Sequence, residues 1–225
     1  MDIIVQHDIK QMLPKLEQFS SRQAPFAIAK ALTSTAKLVQ AEVTNQIPVA
    51  FDRPNAWTRR AFTIQAARKQ DLTAYVFAKR NQARYLKFGV QGGGRRVKGF
   101  ERRVDAETNA DEQANAGKLV PTRNVKLDAQ GNVSLATIKR ITAQAQSKKG
   151  KYFIGKPKGG KTNSARGYGI YERVGPKIRM LMAFSEPKPY KTRLDLPGIG
   201  RKVVAANIAA QLEQAWSLAM RTARR

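Results

Sequence analysis

The sequence predicts an α+β fold: an antiparallel sheet packed by a long N-terminal amphipathic helix and a C-terminal helix, with a basic loop-rich insertion. Three observations predict it. Apolar side chains recur at helical spacing between Pro25 and Ile47, two short apolar-rich segments flank a polar stretch at 69–71, and a second helical stripe runs along the end of the chain.

Residues 2–20 read as a short helix broken at Pro14. The next segment carries Ile28, Leu32, Ala36, Val39, Val43 and Ile47, the spacing of one helix face. Pro25 suits a first-turn position and Pro48 opposes continuation, so a helix over 25–47 is expected, lying on the sheet. Residues 49–60 read as a loop with Pro54 and the basic pair Arg59-Arg60. Phe62 to Ala66 and Leu72 to Phe77, on either side of Lys69-Gln70-Asp71, predict a β-hairpin. Tyr85 to Phe88 reads as a further strand, followed by a flexible basic loop through Gly92-Gly93-Gly94-Arg95-Arg96.

The stretch at about 91–165 differs in character. It holds most of the glycines, an acidic cluster of Asp105, Glu107, Asp111 and Glu112, and a basic tract running from Lys139 and Arg140 to Lys161. Such a tract reads as a solvated arm, with ordering on an anionic partner as the sharper reading. Within it, Leu135 to Ala145 is expected to be a short helix. Strands follow at Tyr152 to Ile154, Gly169 to Gly175 and Ile178 to Phe184. Pro187, Pro189 and Pro197 bracket an extended connection. The last helix, about 199–222, turns Val204, Ile208, Leu212, Ala215 or Trp216, and Ala219 inward. The whole reads as a single α+β domain over 1–225 with a basic flexible insertion at about 91–165.

Composition bounds the function. Of 225 residues, 42% are hydrophobic, enough for a core, so wholesale disorder is not expected. Against 16 Asp and Glu stand 42 Lys and Arg, a formal net charge of +26. A chain this basic repels itself unless an anion is near, and nucleic acid is the foremost such partner because phosphate contacts release counterions. With no cysteine, disulfides and thiolate zinc sites are excluded. The first residues do not form a secretory signal, and no apolar run approaches the roughly 20 residues that span a bilayer. No membrane association is expected.

Two motifs suggest phosphate chemistry. Gly155-Lys156-Pro157-Lys158-Gly159-Gly160-Lys161-Thr162 fits the phosphate-binding-loop pattern, but Asn163 to Gly169 cannot supply the helix that pattern requires. It reads as a basic loop. Leu196-Pro197-Gly198-Ile199-Gly200 looks like the hairpin of the helix-hairpin-helix motif in DNA-repair glycosylases, whose amides hold a phosphate. Glu186-Pro187-Lys188-Pro189-Tyr190 cannot form the preceding helix, so a tight turn starting the last helix is expected, with a non-specific phosphate contact as the alternative.

His7 is the only histidine, which leaves no multi-histidine metal site and no Ser-His-Asp triad. The carboxylates are scattered, so no paired acid–base site is expected; Glu172 reads as a partner of a neighbouring arginine. No catalytic residue, metal or cofactor is expected. Trp57 and Trp216, with Ile28, Leu32, Val39 and Val43, are expected to make core or subunit contacts, base stacking being the rarer role for the tryptophans. The anion- or DNA-facing candidates are Arg95, Arg96, Lys98, Arg102, Arg103, Lys148, Lys149, Lys151, Lys156, Lys158, Lys161, Arg201 and Lys202.

Several segments together resemble phage tail proteins. Ala83-Arg84-Tyr85-Leu86-Lys87-Phe88-Gly89 is similar to a strand ending of tail-completion proteins, with Lys87 where an acid is usual. Leu119 to Thr122 and Leu127 to Val133 resemble an inserted stretch of phage virion proteins. Gly169 to Gly175, Ile178 to Phe184 and Pro189-Tyr190-Lys191 resemble the terminal sheet of the minor tail protein Z family, and the order of elements also matches. The resemblance implies a structural virion protein, not an enzyme, that completes the head-proximal end of a long tail and readies it for head–tail joining. It also implies a homo-oligomeric ring, a hexamer by tail symmetry, beside the tail terminator and neck or connector proteins, near DNA or the tape-measure protein. The location implied is the virion, with assembly in the host cytoplasm. The alternative is a non-specific DNA- or RNA-binding protein acting in phage DNA packaging or host takeover; a nucleic-acid enzyme rests only on the two loop motifs.

Overall fold

A computed structural model describes residues 2–5, 23–95, 98–99, 101, 118–145, 150–157, 167–185 and 188–223. The architecture is α+β, with two antiparallel sheets among the described residues. The chain divides into two compact units: Met1–Gly92 with Lys191–Arg225, and Gly93–Tyr190. The segment read from sequence as an insertion, about 91–165, falls in the second unit except for its first two residues.

In the first unit, helix α1 (Gln23–Ala50) is built on the expected stripe. Ile28, Leu32, Ala36, Val39, Val43 and Ile47 are all buried. Pro25 sits in the first turn, where its missing N–H leaves nothing unpaired. The helix passes Pro48, contrary to the expected stop. Only the last turn lies beyond it, and the Phe51 N–H still reaches the Ile47 carbonyl at 3.0 Å. The removed donor therefore costs one terminal hydrogen bond and not a helix interior.

The hairpin is present as β2 (Phe62–Gln65) and β3 (Ala74–Ala78), antiparallel with Phe62 opposite Ala78 and Ile64 opposite Val76. β1 (Asp2–Val5) pairs with the other edge of β3, so these residues are a strand and not the start of a helix. Ile3-Ile4-Val5 is a β-branched run, which suits a pleated surface. The rest of that expected helix, with Pro14 and His7, lies outside the described residues. The three-stranded order is β1-β3-β2.

One helical turn, α2 (Ala56–Arg59), stands where a loop was expected; Asn55 caps it by accepting the Thr58 N–H. Helix α3 (Arg80–Gln91) replaces the strand expected at Tyr85 to Phe88. Its buried residues are Gln82, Leu86 and Gly89, spaced as a helix face, a period that the strand-like run Tyr85-Leu86-Lys87-Phe88 concealed.

Helix α5 (Leu196–Ala223) closes the unit and packs along α1. Ala27 and Ala31 of α1 meet Ala215 and Ala219 of α5, with Phe26, Leu212 and Trp216 around them. Small side chains let the two backbones approach closely. Leu32, Val39, Val43 and Ile47 join Phe62, Val76, Leu86, Leu194, Leu196 and Ile208 in the main core.

The second unit has a four-stranded sheet, ordered β4 (Lys118–Pro121), β7 (Lys177–Ser185), β6 (Gly169–Val174), β5 (Tyr152–Gly155). All neighbours are antiparallel. β6 and β7 form a tight hairpin with Val174 opposite Lys177. Gly175 has φ +56 at the first turn position, where a two-residue hairpin loop needs a left-handed residue. Helix α4 (Leu135–Ala145) begins at Ser134, whose hydroxyl accepts the Thr137 N–H, and packs on β5. Ile141 is buried with Leu119, Val125, Tyr152, Ile170, Leu181 and Met182. Gly93 and Tyr190 exchange two backbone hydrogen bonds of 3.0 and 2.9 Å, which tie the ends of this unit together. Within the loop expected to be flexible, Gly92 to Arg96, Gly93 is thus backbone-paired, and Arg96 lies outside the described residues.

Candidate functional site

The basic residues nominated from sequence divide into three groups. Arg96, Arg102, Arg103, Lys148, Lys149, Lys158 and Lys161 lie outside the described residues. Arg95 and Lys151 are engaged with carboxylates. Lys98, Lys156, Arg201 and Lys202 are exposed.

Arg95 does not face an anion in solvent. Its two terminal nitrogens donate to the two oxygens of Glu101, each at 2.8 Å. The Glu101 side chain is 1% exposed and that of Arg95 16%. The backbone N–H groups of Lys98 and Leu119 also donate to this carboxylate, at 2.5 and 3.2 Å. Burial alone pushes the Glu101 carboxyl up, but the Arg95 guanidinium and the two amides outweigh it and hold it below the usual range. The hydrogen bonds to Glu101 raise Arg95 further above its already high value. This clamp ties the segment before β4 to the strand itself. Charge counting over an arginine-rich stretch could not find it, because one glutamate among many cations looks like solvated surface.

Lys151 also has a carboxylate partner, although its side chain is 58% exposed. Its Nζ lies 3.0 Å from Glu172 Oε1, and Arg179 Nε donates to Oε2 of the same carboxylate. Glu172 is buried on β6. Burial raises its pKa, and hydrogen bonds from Arg179 and Lys151 bring it below the ordinary glutamate value. The expected structural ion pair is present, with two cations rather than one. Beside it, Phe153 stacks on Tyr171 with centroids 5.4 Å apart, and the Arg173 guanidinium lies 4.4 Å from the Phe153 centroid. The Tyr171 hydroxyl donates to the Gly167 carbonyl at 2.6 Å.

Neither phosphate motif has the required setting. β5, which leads into Gly155-Lys156, is an antiparallel edge strand, whereas a phosphate-binding loop follows a buried strand and precedes a helix. Lys158 to Thr162 lie outside the described residues. Leu196 to Gly200 are not a hairpin but the first turns of α5. Asp195 caps that helix: its Oδ1 accepts the Gly198 N–H at 3.0 Å, and its carbonyl accepts the Ile199 N–H at 3.0 Å. The amide a phosphate would need already faces a carboxylate, which repels a second anion. Arg201 and Lys202, exposed one turn on, remain available to an anionic partner.

Of the expected apolar contacts, Ile28, Leu32, Val39 and Val43 are core. Trp216 is half-buried against the alanine contact of α1 and α5. Trp57 is not core: it is 51% exposed and stacks on Tyr85, 39% exposed, with centroids 5.7 Å apart and 20° between planes. The Tyr85 hydroxyl donates to Thr58 Oγ1 at 2.9 Å, and Thr58 is held by Asn55. A cleft of about 490 Å³ opens beside Trp57, lined also by Arg60, Lys79, Arg80 and Asn81. Reading Tyr85 into a strand hid this pair. Asn55 ahead of Trp57 and the helical period through Leu86 were the available signals.

Among the described residues, no group of three or more His, Cys, Asp or Glu is placed to hold a metal ion. No helix among them is long and apolar enough to cross a membrane. Comparison with protein-family models, with curated proteins and with solved structures found no match for this chain.

Proposed function

We propose that this protein is a structural virion component of a tailed phage, a tail-completion or minor tail protein at the head-proximal end that acts in tail completion and head–tail joining. The observation that carries the reading is the ordered series of tail-protein-like segments. Two of these segments, Gly169 to Gly175 and Ile178 to Phe184, form one continuous hairpin, β6–β7, at the centre of a sheet. The best-buried carboxylates have structural partners: Glu101 is held by Arg95 and two backbone amides, and Glu172 by Lys151 and Arg179.

The net charge of +26 supports a place beside DNA or acidic neighbours. In a ring of copies, Lys98, Lys156, Arg201 and Lys202 would add to a positive field with non-specific, salt-sensitive affinity. The resemblance departs at Ala83 to Gly89, which is helical in this chain.

Gold-labelled antibody electron microscopy on purified virions tests the reading. Label at the head–tail joint is expected. Unlabelled virions, with the protein free in the lysate on nucleic acid, would overturn it in favour of a nucleic-acid-binding protein.

A further inference from the structure

We infer that the Trp57–Tyr85 ledge and its basic cleft form a binding site for single-stranded nucleic acid, in which a base stacks on the exposed indole and Arg60, Lys79 and Arg80 hold the flanking phosphates. This inference stands independently of the tail assignment.

Four observations carry it. First, two large aromatic rings are stacked in the open, at 51% and 39% exposure, although the unit has a core in which to bury them. An exposed π-face adjoining cations is the arrangement that binds bases without regard to sequence. Second, the ledge is pre-set. The Tyr85 hydroxyl donates to Thr58, whose hydroxyl donates to Asn55 Oδ1 at 2.8 Å. From the other side, buried Gln82 donates to the Trp57 carbonyl at 3.4 Å. Ordering the ledge on binding therefore costs little. Third, an open cleft of about 490 Å³ lies beside the indole, lined by Arg60, Lys79, Arg80 and Asn81. Fourth, the charge is one-sided. Arg60, Lys79 and Arg80 are exposed, and no acidic side chain lines the cleft. Asn81, also exposed and lining it, offers an amide to a base edge.

Duplex DNA hides its base faces, so stacking selects a single strand or an unpaired end. Trp, Tyr and Arg are also enriched at protein interfaces, but stacked open rings beside an all-cationic cleft favour a nucleic-acid strand here.

The test uses the full chain and fluorescence anisotropy with two labelled probes of about 16 nucleotides, the upper end of single-strand site sizes: oligothymidylate and an abasic strand of equal length. The abasic probe measures what the phosphates alone contribute, including any contact with other basic segments. The wild-type protein is expected to bind oligothymidylate more tightly than the abasic strand. Trp57→Ala should raise the Kd for oligothymidylate about tenfold and leave the abasic Kd unchanged. Trp57→Leu, which keeps apolar bulk but loses the π-face, should behave like Trp57→Ala, and Trp57→Phe should retain most of the affinity. Changing Arg60, Lys79 and Arg80 together to Gln should lower the salt dependence on both probes by about two in log–log slope, at roughly 0.7 per lost phosphate contact. Equal binding of both probes by the wild-type protein would overturn the inference. So would Trp57→Leu binding oligothymidylate as well as wild type. A Trp57 variant that changes only the protein's mass in solution would reassign the ledge to self-association.

Discussion

Arg95 and Glu101 meet through two parallel N–H···O bonds of 2.8 Å, with the carboxylate sealed from solvent and two backbone amides on its remaining lone pairs. The pair is strong because the carboxylate is shut off from water and the guanidinium mostly so, and its removal is asymmetric for the same reason. Glu101→Ala leaves the largely buried Arg95 charge without its carboxylate and the Leu119 N–H without its acceptor. It is expected to destabilise the second unit by about 3–5 kcal/mol. Arg95→Met with Glu101→Leu should recover much of that loss, since no charge is left stranded. Urea unfolding of the two variants checks this; a double variant as unstable as the single one would show that the clamp matters through shape and not charge.

Acid should weaken this unit before neutral pH does. Glu101 and Glu172 both have depressed pKa values in the folded chain. A carboxyl held below its unfolded value of about 4.3 stabilises the fold fully above that pH. The contribution is then lost as pH falls through the lower, folded value. Tm is therefore expected to be flat on these groups' account above about pH 5 and to drop below about pH 4. Glu101→Gln should flatten part of that drop, measured by thermal melts across the acid range.

The start of α5 depends on Asp195 and Gly198 together. A Cβ on Gly198 would sit 2.0 Å from the Asp195 carboxylate, so Gly198→Ala must displace the cap. Asp195→Ala is expected to cost about 0.5–2 kcal/mol, the usual worth of an N-cap. Gly198→Ala should cost a comparable amount, and the double variant little more than either alone, because both remove one interaction. Strict additivity in a double-mutant cycle would contradict that linkage.

Leu32 and Trp57 should behave oppositely although both are large apolar residues. Leu32 is 2% exposed in the main core of the first unit, and Leu32→Ala should destabilise it by about 2–5 kcal/mol. Trp57 lies on a turn that buries no residue, so Trp57→Ala should leave Tm nearly unchanged. Matched thermal melts decide it, and a large drop for Trp57→Ala would mark the ledge as structural.

Local sequence determined the elements whose signal is periodic. The six-residue stripe of α1, the hairpin at 62–78, α4 and the β6–β7 hairpin were legible because side-chain period and turn chemistry act within a few residues. The signal failed where letters permit two periods. Tyr85-Leu86-Lys87-Phe88 suits a strand as well as a helix, and only the burial of Gln82, Leu86 and Gly89 on one face decided for α3. Asp2–Val5 is a strand because β3 offers it an edge, a partner more than sixty residues away.

Charge was the part least readable from the chain. The sequence by itself determined that the protein is strongly basic, but not which cations face solvent. Arg95 and Lys151 stood among the nominated anion-binding residues, and folding gave each a carboxylate that lies 6 and 21 positions away. Trp57 was expected to make core or subunit contacts; it is exposed and so not core, and the ring it stacks on comes from a different helix. Composition sums charges and apolar atoms without regard to place. Desolvation and pairing depend on distances of a few ångströms between residues remote in sequence, and those the tertiary structure alone decides.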